Sequence, residues 1–404
     1  MTGILSGMRI VEASAFVAAP YAGMVLAEMG ADVIRIDPVG GGLDKDRWPL
    51  APSGRSLYWA GLNKGKRSIL LDVRSHEGRE IAHELMTLPG DDSGFVLTNL
   101  PARGWLDFET LKARREDLVM VNLLGNRDGS VALDYTVNAA AGFPMNQGPV
   151  DEKGPINNLL PAWDFNAGVM AANGLLAADR YRRKTGEGQF IQLALADAAF
   201  HVMSALGYTA EVEINKIKRP KTGNHVWGTF SHVFQTKDGR YLVVTAFTPR
   251  HWKNLVTSFD LAETVAKMES ESGLDLYQEA NRWAMRDDIV DMLRPLIAAR
   301  TLNEMRSLFE EHGVCWGPYQ TFEQAVHEDP RVSEENPMFS RVVHPNIGEY
   351  LTPGSILDFS AVPRVPPGEA PVHGQHTEQI LAEVLSLSKS EIGKLVDKKI
   401  VGLG

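Results

Sequence analysis

The chain has 404 residues, more than one ordinary domain, with 44% hydrophobic and 23% charged residues, the proportions of a soluble globular protein. Its net charge of −10 argues against a nucleic-acid partner, so an anionic ligand must be met by a local basic patch. The single cysteine, Cys315, excludes an intrachain disulfide and a cysteine-cluster zinc site, fits a reducing compartment, and reads as a small buried hydrophobe.

The eleven histidines show no His-Glu-x-x-His pattern, and His373 and His376 read as structural or surface groups, so no metal is expected. No apolar run approaches the roughly 18 residues of a membrane span. The opening residues Met1–Leu5 lack a basic segment followed by an apolar one, so neither a secretory signal nor a membrane partner is expected, and a cytoplasmic location is.

In chain order, residues 8–13 read as a strand, 19–29 as a helix closed by Gly30, and 32–37 as a second strand. Strands follow at 68–72, 94–98 and 118–124, separated by helical patterns at 76–87 and 108–115. Alternation of this kind predicts an α/β fold with a parallel, doubly wound sheet, whose ligands bind outside the carboxyl ends of the strands. That rule singles out Ser14–Val17, Asp37–Gly42, Asn99 and Gly125. A nicotinamide dinucleotide wants Gly-x-Gly-x-x-Gly directly after the first strand. The residues there run from Ala13 to Pro20 without a glycine, which excludes that cofactor.

Asp164 follows Pro161 and opens a run with helical spacing, so it lies at or near a helix N-terminus, where an anionic side chain is favoured. The helix ends in Arg180, Arg182, Arg183 and Lys184, with Gly186 as its cap. A strand at 190–195 and a helix from 197 to about 209 come next. A basic linker then leads to a change of character, with an antiparallel hairpin at 230–234 and 241–246 and helices to His312.

Several stretches together resemble the family III CoA-transferases: Leu5–Val11, Ala19-Pro20, Leu26–Asp37, the Asp44–Arg47 loop, Asn63–Ser68, Leu97–Asn99, Asp134–Gly142, the Trp163-Asp164-Phe165-Asn166 segment with its Lys184–Gln189 turn, and Gly374–Leu381. The resemblance implies a Rossmann-like large domain over 1–210, a linker at 211–224, a smaller α+β domain over 225–315, and a segment at 316–404 that returns to the large domain. It also implies ring-shaped subunits interlocked in a homodimer. It makes Asp164 the catalytic nucleophile and coenzyme A a part of the substrate, with no permanently bound cofactor. CoA-binding candidates are Phe16, Val17, Lys64, Lys66, Arg67, Asn99 and Arg103, the basic ones offering charge-assisted hydrogen bonds to phosphates. Leu100-Pro101 replaces the family's Phe-Arg, and Arg103 is the substitute cation.

A carboxylate with a reference pKa of about 3.9 is ionised at neutral pH, so Asp164 is expected to need no general base. Donors for the tetrahedral oxyanion are expected near Ser14–Val17 or at Gly125, and Arg47 is the candidate for a substrate carboxylate. Further words, among them Ser14–Pro20, Gly41–Asp44 and Leu57–Lys66, resemble the branch acting on mesaconyl-CoA, which moves CoA between the C1 and C4 carboxyls of one molecule. An intermolecular transferase using a dicarboxylic acid such as succinate is the alternative. An α-methylacyl-CoA racemase is disfavoured, because Leu133 stands where that branch has a proton-transferring histidine. A non-catalytic CoA-binding protein would not need Asp164.

Overall fold

The structure is a computed structural model that describes residues 3–404; Met1 and Thr2, where the secretory-signal reading begins, lie outside the described residues. The chain runs β1 (Arg9–Ala13), α1 (Ala18–Glu28), β2 (Asp32–Asp37), α2 (Leu57–Asn63), β3 (Arg67–Leu71), α3 (His76–Met86), β4 (Phe95–Thr98), α4 (Phe108–Lys112), β5 (Val119–Leu124), α5 (Asp134–Ala140), α6 (Phe143–Asn146), α7 (Ala162–Thr185), β6 (Gln189–Ala194) and α8 (Leu195–Ala205). Then come β7 (Phe230–Gln235), β8 (Tyr241–Ala246), a series of helices, β9 (Trp316–Tyr319), β10 (Phe339–His344), β11 (Gly348–Pro353), two further helices and β12 (Val401–Gly402).

The chain forms two compact units. The first runs to Ala141 and resumes over Asn158–Lys216 and Pro330–Gly404. Its main sheet has the order β12-β3-β2-β1-β4-β5-β6. The neighbours from β3 to β6 are all parallel, and the order reverses at β1, which puts a topological switch point beside that strand. The expectation of a parallel sheet is corrected at one edge. β12 pairs antiparallel with β3 through Val401↔Leu71, so the returning chain covers an edge that would otherwise expose unpaired backbone groups. Strand residues such as Ile34, Ile69, Val96 and Met120 pack against Leu85 and Met86 of α3 in one apolar core.

The second unit comprises Gly142–Asn157 and Ile217–Asp329, a wider span than 225–315. Gly142–Asn157 is tied into it by Lys221, whose Nζ donates to the Gly154 carbonyl at 2.5 Å. β9 pairs antiparallel with β8, so the small sheet β7-β8-β9 gains a third strand, and the return to the first unit begins at Pro330 rather than 316. Phe230, Phe234, Trp252, Leu293 and Phe309 fill its core. Cys315 is exposed, which corrects the reading of a buried residue. Val314 beside it takes the inward position at the turn into β9, and adjacent extended residues face opposite ways.

Beneath the carboxyl ends of β1 and β2 lies a buried cluster of charge. Arg35 on β2 holds Asp37 by two bonds of 3.0 and 3.1 Å, approaches Glu12 at 3.4 Å and Asp44 at 3.3 Å, and also donates to the Asn63 side chain at 3.0 Å. Lys66 adds a second cation, 2.8 Å from Glu12, and burial pulls its ammonium down to about 8 against the pull of that carboxylate. Removing Arg35 leaves three buried carboxylates facing Lys66 alone. Arg35→Met is therefore expected to lose about 3–5 kcal/mol in urea denaturation. Arg74→Ala, which removes an ion pair whose arginine is 90% exposed, is expected to change nothing measurable.

Candidate functional site

Asp164 occupies the third position of α7, which starts at Ala162 after Pro161 and closes at Gly186 in a left-handed conformation, φ 79°. The sequence reading placed Asp164 correctly at the helix start but missed the residue that caps it. Asp134, the first residue of α5, accepts the Trp163 N–H at 2.7 Å and the Asp164 N–H at 3.0 Å on one carboxylate oxygen. Asn138, one turn further along α5, accepts the Trp163 indole N–H at 3.1 Å. The cap thus comes from another helix, and the Asp164 carboxyl is left free of that task. The other Asp134 oxygen is buried without a hydrogen-bond partner among the described residues.

Electrostatics at Asp164 correct a second expectation. Burial and then the Asp134 charge push its carboxyl up to about 7, and Arg47 pulls in the opposite direction. The group is therefore only partly ionised near neutral pH, where a freely solvated aspartate is an anion. α1 backs this helix closely. A Cβ on Gly168 would sit 2.7 Å from the Ala18 carbonyl oxygen, and Phe165 meets Tyr21 edge to face at 4.8 Å.

The loop after β1 faces the same region and is gripped at successive residues. Arg35 donates to the Ser14 carbonyl at 3.1 Å. The Asn99 amide accepts the Ala15 N–H at 2.9 Å and donates to the Ala15 carbonyl at 2.7 Å. Asp44 accepts the Phe16 N–H at 2.9 Å. Phe16 has φ +65°, a left-handed value uncommon for a bulky residue. Its N–H is occupied by Asp44, so it does not serve as the oxyanion donor anticipated in this loop. Gly125 is a close-approach position instead, since a Cβ there would fall 2.4 Å from the Ala132 nitrogen.

Arg47 lies over two rings, its guanidinium carbon 5.6 Å from the Phe16 centroid and 4.9 Å from the Tyr58 centroid. It forms no ion pair among the described residues. Tyr58, in the first turn of α2, is pushed up to about 12 by burial, with Arg47 opposing and Asp164 reinforcing. Its phenol therefore stays protonated across the working pH range. Asp164, Arg47, Phe16 and Tyr58 thus gather at one place. Tyr58 and Asp134 lie inside longer sequence motifs, and nothing about either residue alone marks it out.

Other expected CoA contacts are placed elsewhere. Lys64 is buried against Glu28 at 3.0 Å, and Lys66 against Glu12. Arg67 holds Asp32 at 2.5 Å. Each of these cations is paired with a carboxylate, Lys64 and Lys66 in buried pairs and Arg67 in a partly exposed one. The turn at Gly65, φ +76°, directs both lysines inward. Arg103 is exposed and holds no ion pair among the described residues. Val17 is buried at the start of α1, and Asn99 supports the loop backbone. His376 accepts the Ser68 N–H and His373 lies against the Trp59 ring, so both are structural. Leu133 is 60% exposed at the residue preceding α5.

The raised Asp164 carboxyl carries a stability cost whose sign follows from linkage. The folded state binds this proton more tightly than the unfolded chain, so stability falls as pH rises from the ordinary aspartate range through about 7. Asp164→Asn removes that cost. The variant is expected to match the parent below about pH 4 and to exceed it increasingly as pH rises through about 7, by about 2 kcal/mol or more near pH 8 in urea denaturation. A difference that does not grow with pH would contradict the raised pKa.

Comparison with known proteins follows the same lines. The description of CoA-transferase family III matches residues 5–377. The chain is 50% identical over 402 residues to the 2-methylfumaryl-CoA isomerase of Chloroflexus aurantiacus, covering 99% of this chain and 98% of that protein. It is 26% identical to the succinyl-CoA–D-citramalate CoA-transferase of the same organism, over 98% of each. The crystal structure of a CAIB/BAIF family protein from Brucella suis, 22% identical, matches with a TM-score of 0.77 over 95% of this chain and all of that one, so the two share a fold. With a family match across most of its length and a half-identical relative along nearly all of it, the chain belongs to CoA-transferase family III.

Proposed function

We propose that the protein is an intramolecular CoA-transferase that interconverts the C1 and C4 thioesters of 2-methylfumarate (mesaconate). The observation that carries this reading is the 50% identity, along nearly the whole chain, to a 2-methylfumaryl-CoA isomerase. The site adds a half-buried carboxyl beside a cation, Arg47, that forms no ion pair among the described residues.

The ionised fraction of Asp164 attacks the thioester carbonyl. A C–O bond forms, the C–S bond breaks, and CoA thiolate leaves behind a mixed anhydride. The thiolate then attacks the aspartyl carbonyl, forming an aspartyl-CoA thioester and releasing mesaconate as its carboxylate. Mesaconate turns over, its other carboxylate attacks the aspartyl thioester, and the same steps run in reverse. No net proton or electron is gained or lost. Arg47 receives whichever carboxylate is not reacting, through charge-assisted hydrogen bonds. CoA arrives as part of the substrate. The subunits pair as an interlocked homodimer, so dissociation on dilution should not precede unfolding; a folded monomer at low concentration would count against the interlock.

Asp164→Asn is expected to lower turnover by at least about 1000-fold while leaving CoA binding in place. Substantial residual turnover, once deamidation is excluded, would remove Asp164 as nucleophile. Intramolecularity is tested with mesaconyl-C1-CoA and excess isotopically labelled mesaconate. Early C4 product should carry almost no label, and added succinate should yield little new CoA ester. Label entering in proportion to the free pool would instead establish an intermolecular transferase.

A further inference from the structure

We propose that Asp44 is a positioning residue that sets the placement of Arg47 against Asp164, acting through the backbone and ring of Phe16. The inference rests on Asp164 being the reacting carboxyl.

Asp44 is fully buried and has two attachments. Its side chain accepts the Phe16 N–H, and its own carbonyl accepts the Arg47 N–H at 3.2 Å. One residue therefore joins the loop after β1 to the turn that carries Arg47. Arg35 Nη2 lies 3.3 and 3.4 Å from the two Asp44 oxygens, so the carboxylate is anchored from below. The far side of the Arg47 turn is held to the start of α2. Ser56 Oγ donates to the Arg47 carbonyl at 2.5 Å, and the Leu57 N–H donates to the Pro49 carbonyl at 2.8 Å. Tyr58, the second ring under Arg47, follows directly.

Phe16 is the member of this arrangement that would not hold by itself. A left-handed phenylalanine costs of order 1–3 kcal/mol and persists only where its surroundings impose it. The imposed conformation places its ring 5.6 Å from the Arg47 guanidinium carbon. With the Asp44 bond gone, Phe16 relaxes toward an ordinary backbone conformation and its ring leaves Arg47. The guanidinium then keeps Tyr58 alone and drifts from Asp164.

The test is a titration of Asp164, followed by carbon-13 carboxyl NMR on aspartate-labelled protein, with Asp164→Asn identifying the resonance. The groups that bear on Asp164 are Asp134 and Arg47. Displacement of Arg47 raises the midpoint, because a favourable positive charge is withdrawn. General loosening of the site lowers it toward the ordinary aspartate range, because water enters. Asp44→Ala, Phe16→Ala and Arg47→Gln should each raise the midpoint by about half a pH unit or more. Asp44→Ala combined with Phe16→Ala should raise it no further than Phe16→Ala alone, because both act through one ring. If Asp44→Ala does not fold, Asp44→Asn enters the same cycle, since in either orientation its amide sets an NH2 group against a donor, the Arg35 guanidinium or the Phe16 N–H. An unchanged or lowered midpoint in the Asp44 variant, or additive shifts, would overturn the proposal. The titration needs no turnover. Absence of C1-to-C4 conversion by the parent protein would remove the proposed reaction and leave this measurement to be judged separately.

Discussion

Three carboxylates around one buried guanidinium form the constraint on which the site depends. Glu12, Asp37 and Asp44 all face Arg35, and among the described residues Lys66 is the only other cation paired with them. Such a cluster is weak evidence for stability, because desolvating each ion costs several kcal/mol and the attraction only repays it. What it supplies here is geometry. Arg35 offers its donors in a rigid planar fork, and each partner belongs to a different piece of backbone: β1, the end of β2, the loop after β1, the Asp44 turn and α2. Loops at a strand end ordinarily have freedom that elements inside the sheet lack. These are fixed by a side chain that is itself fixed in the sheet.

A second interaction works against the first sense of what a nucleophilic aspartate needs. The start of α7 and the Arg47 charge both favour an anion at Asp164. Burial and Asp134 disfavour it, and they prevail, since the carboxyl is pushed up to about 7. Asp134 is placed there by its duty as a cap: its carboxylate must reach the free N–H groups of Trp163 and Asp164. The like-charge contact is therefore inherent in how the helix is started, and it raises the basicity of the carboxylate that forms.

The sequence made the large sheet legible because its strands are short segments rich in apolar and β-branched residues separated by helical spacing, and each expected strand from β1 to β6 lies within a residue or two of its place. Its edge was not legible. β12 has two residues and no alternation to read, and it pairs only because the chain returns there. The motif around Asp164 announced a helix start correctly, since proline before an acidic first turn is a local signal. The cap was invisible because Asp134 lies thirty positions away and only folding brings it near. The partners of Lys64, Lys66 and Arg67 were invisible for the same reason. Nothing in that run of cations discloses the three separate carboxylates, Glu28, Glu12 and Asp32, that pair with it. Arg47 and Arg103, by contrast, form no ion pair among the described residues.

The unusual ionisation of Asp164 and the lone charge on Arg47 are two sides of one balance in the proposed reaction. A site that raises a carboxyl's pKa prefers that group uncharged, and an acylated aspartate is uncharged. The desolvation that holds back ionisation in the resting site therefore favours the anhydride and the thioester relative to the free carboxylate, in proportion to the same shift. Arg47 has the reverse preference, and acylation of Asp164 deprives it of its neighbouring anion. A substrate carrying a second carboxylate restores that anion at the moment it is lost. A monocarboxylic acyl group would leave Arg47 over its two rings with no counter-charge. In the proposed reaction, a site so arranged would distinguish a diacid from a monoacid by the charge balance of the acylated state, equally in whichever direction the diacid lies.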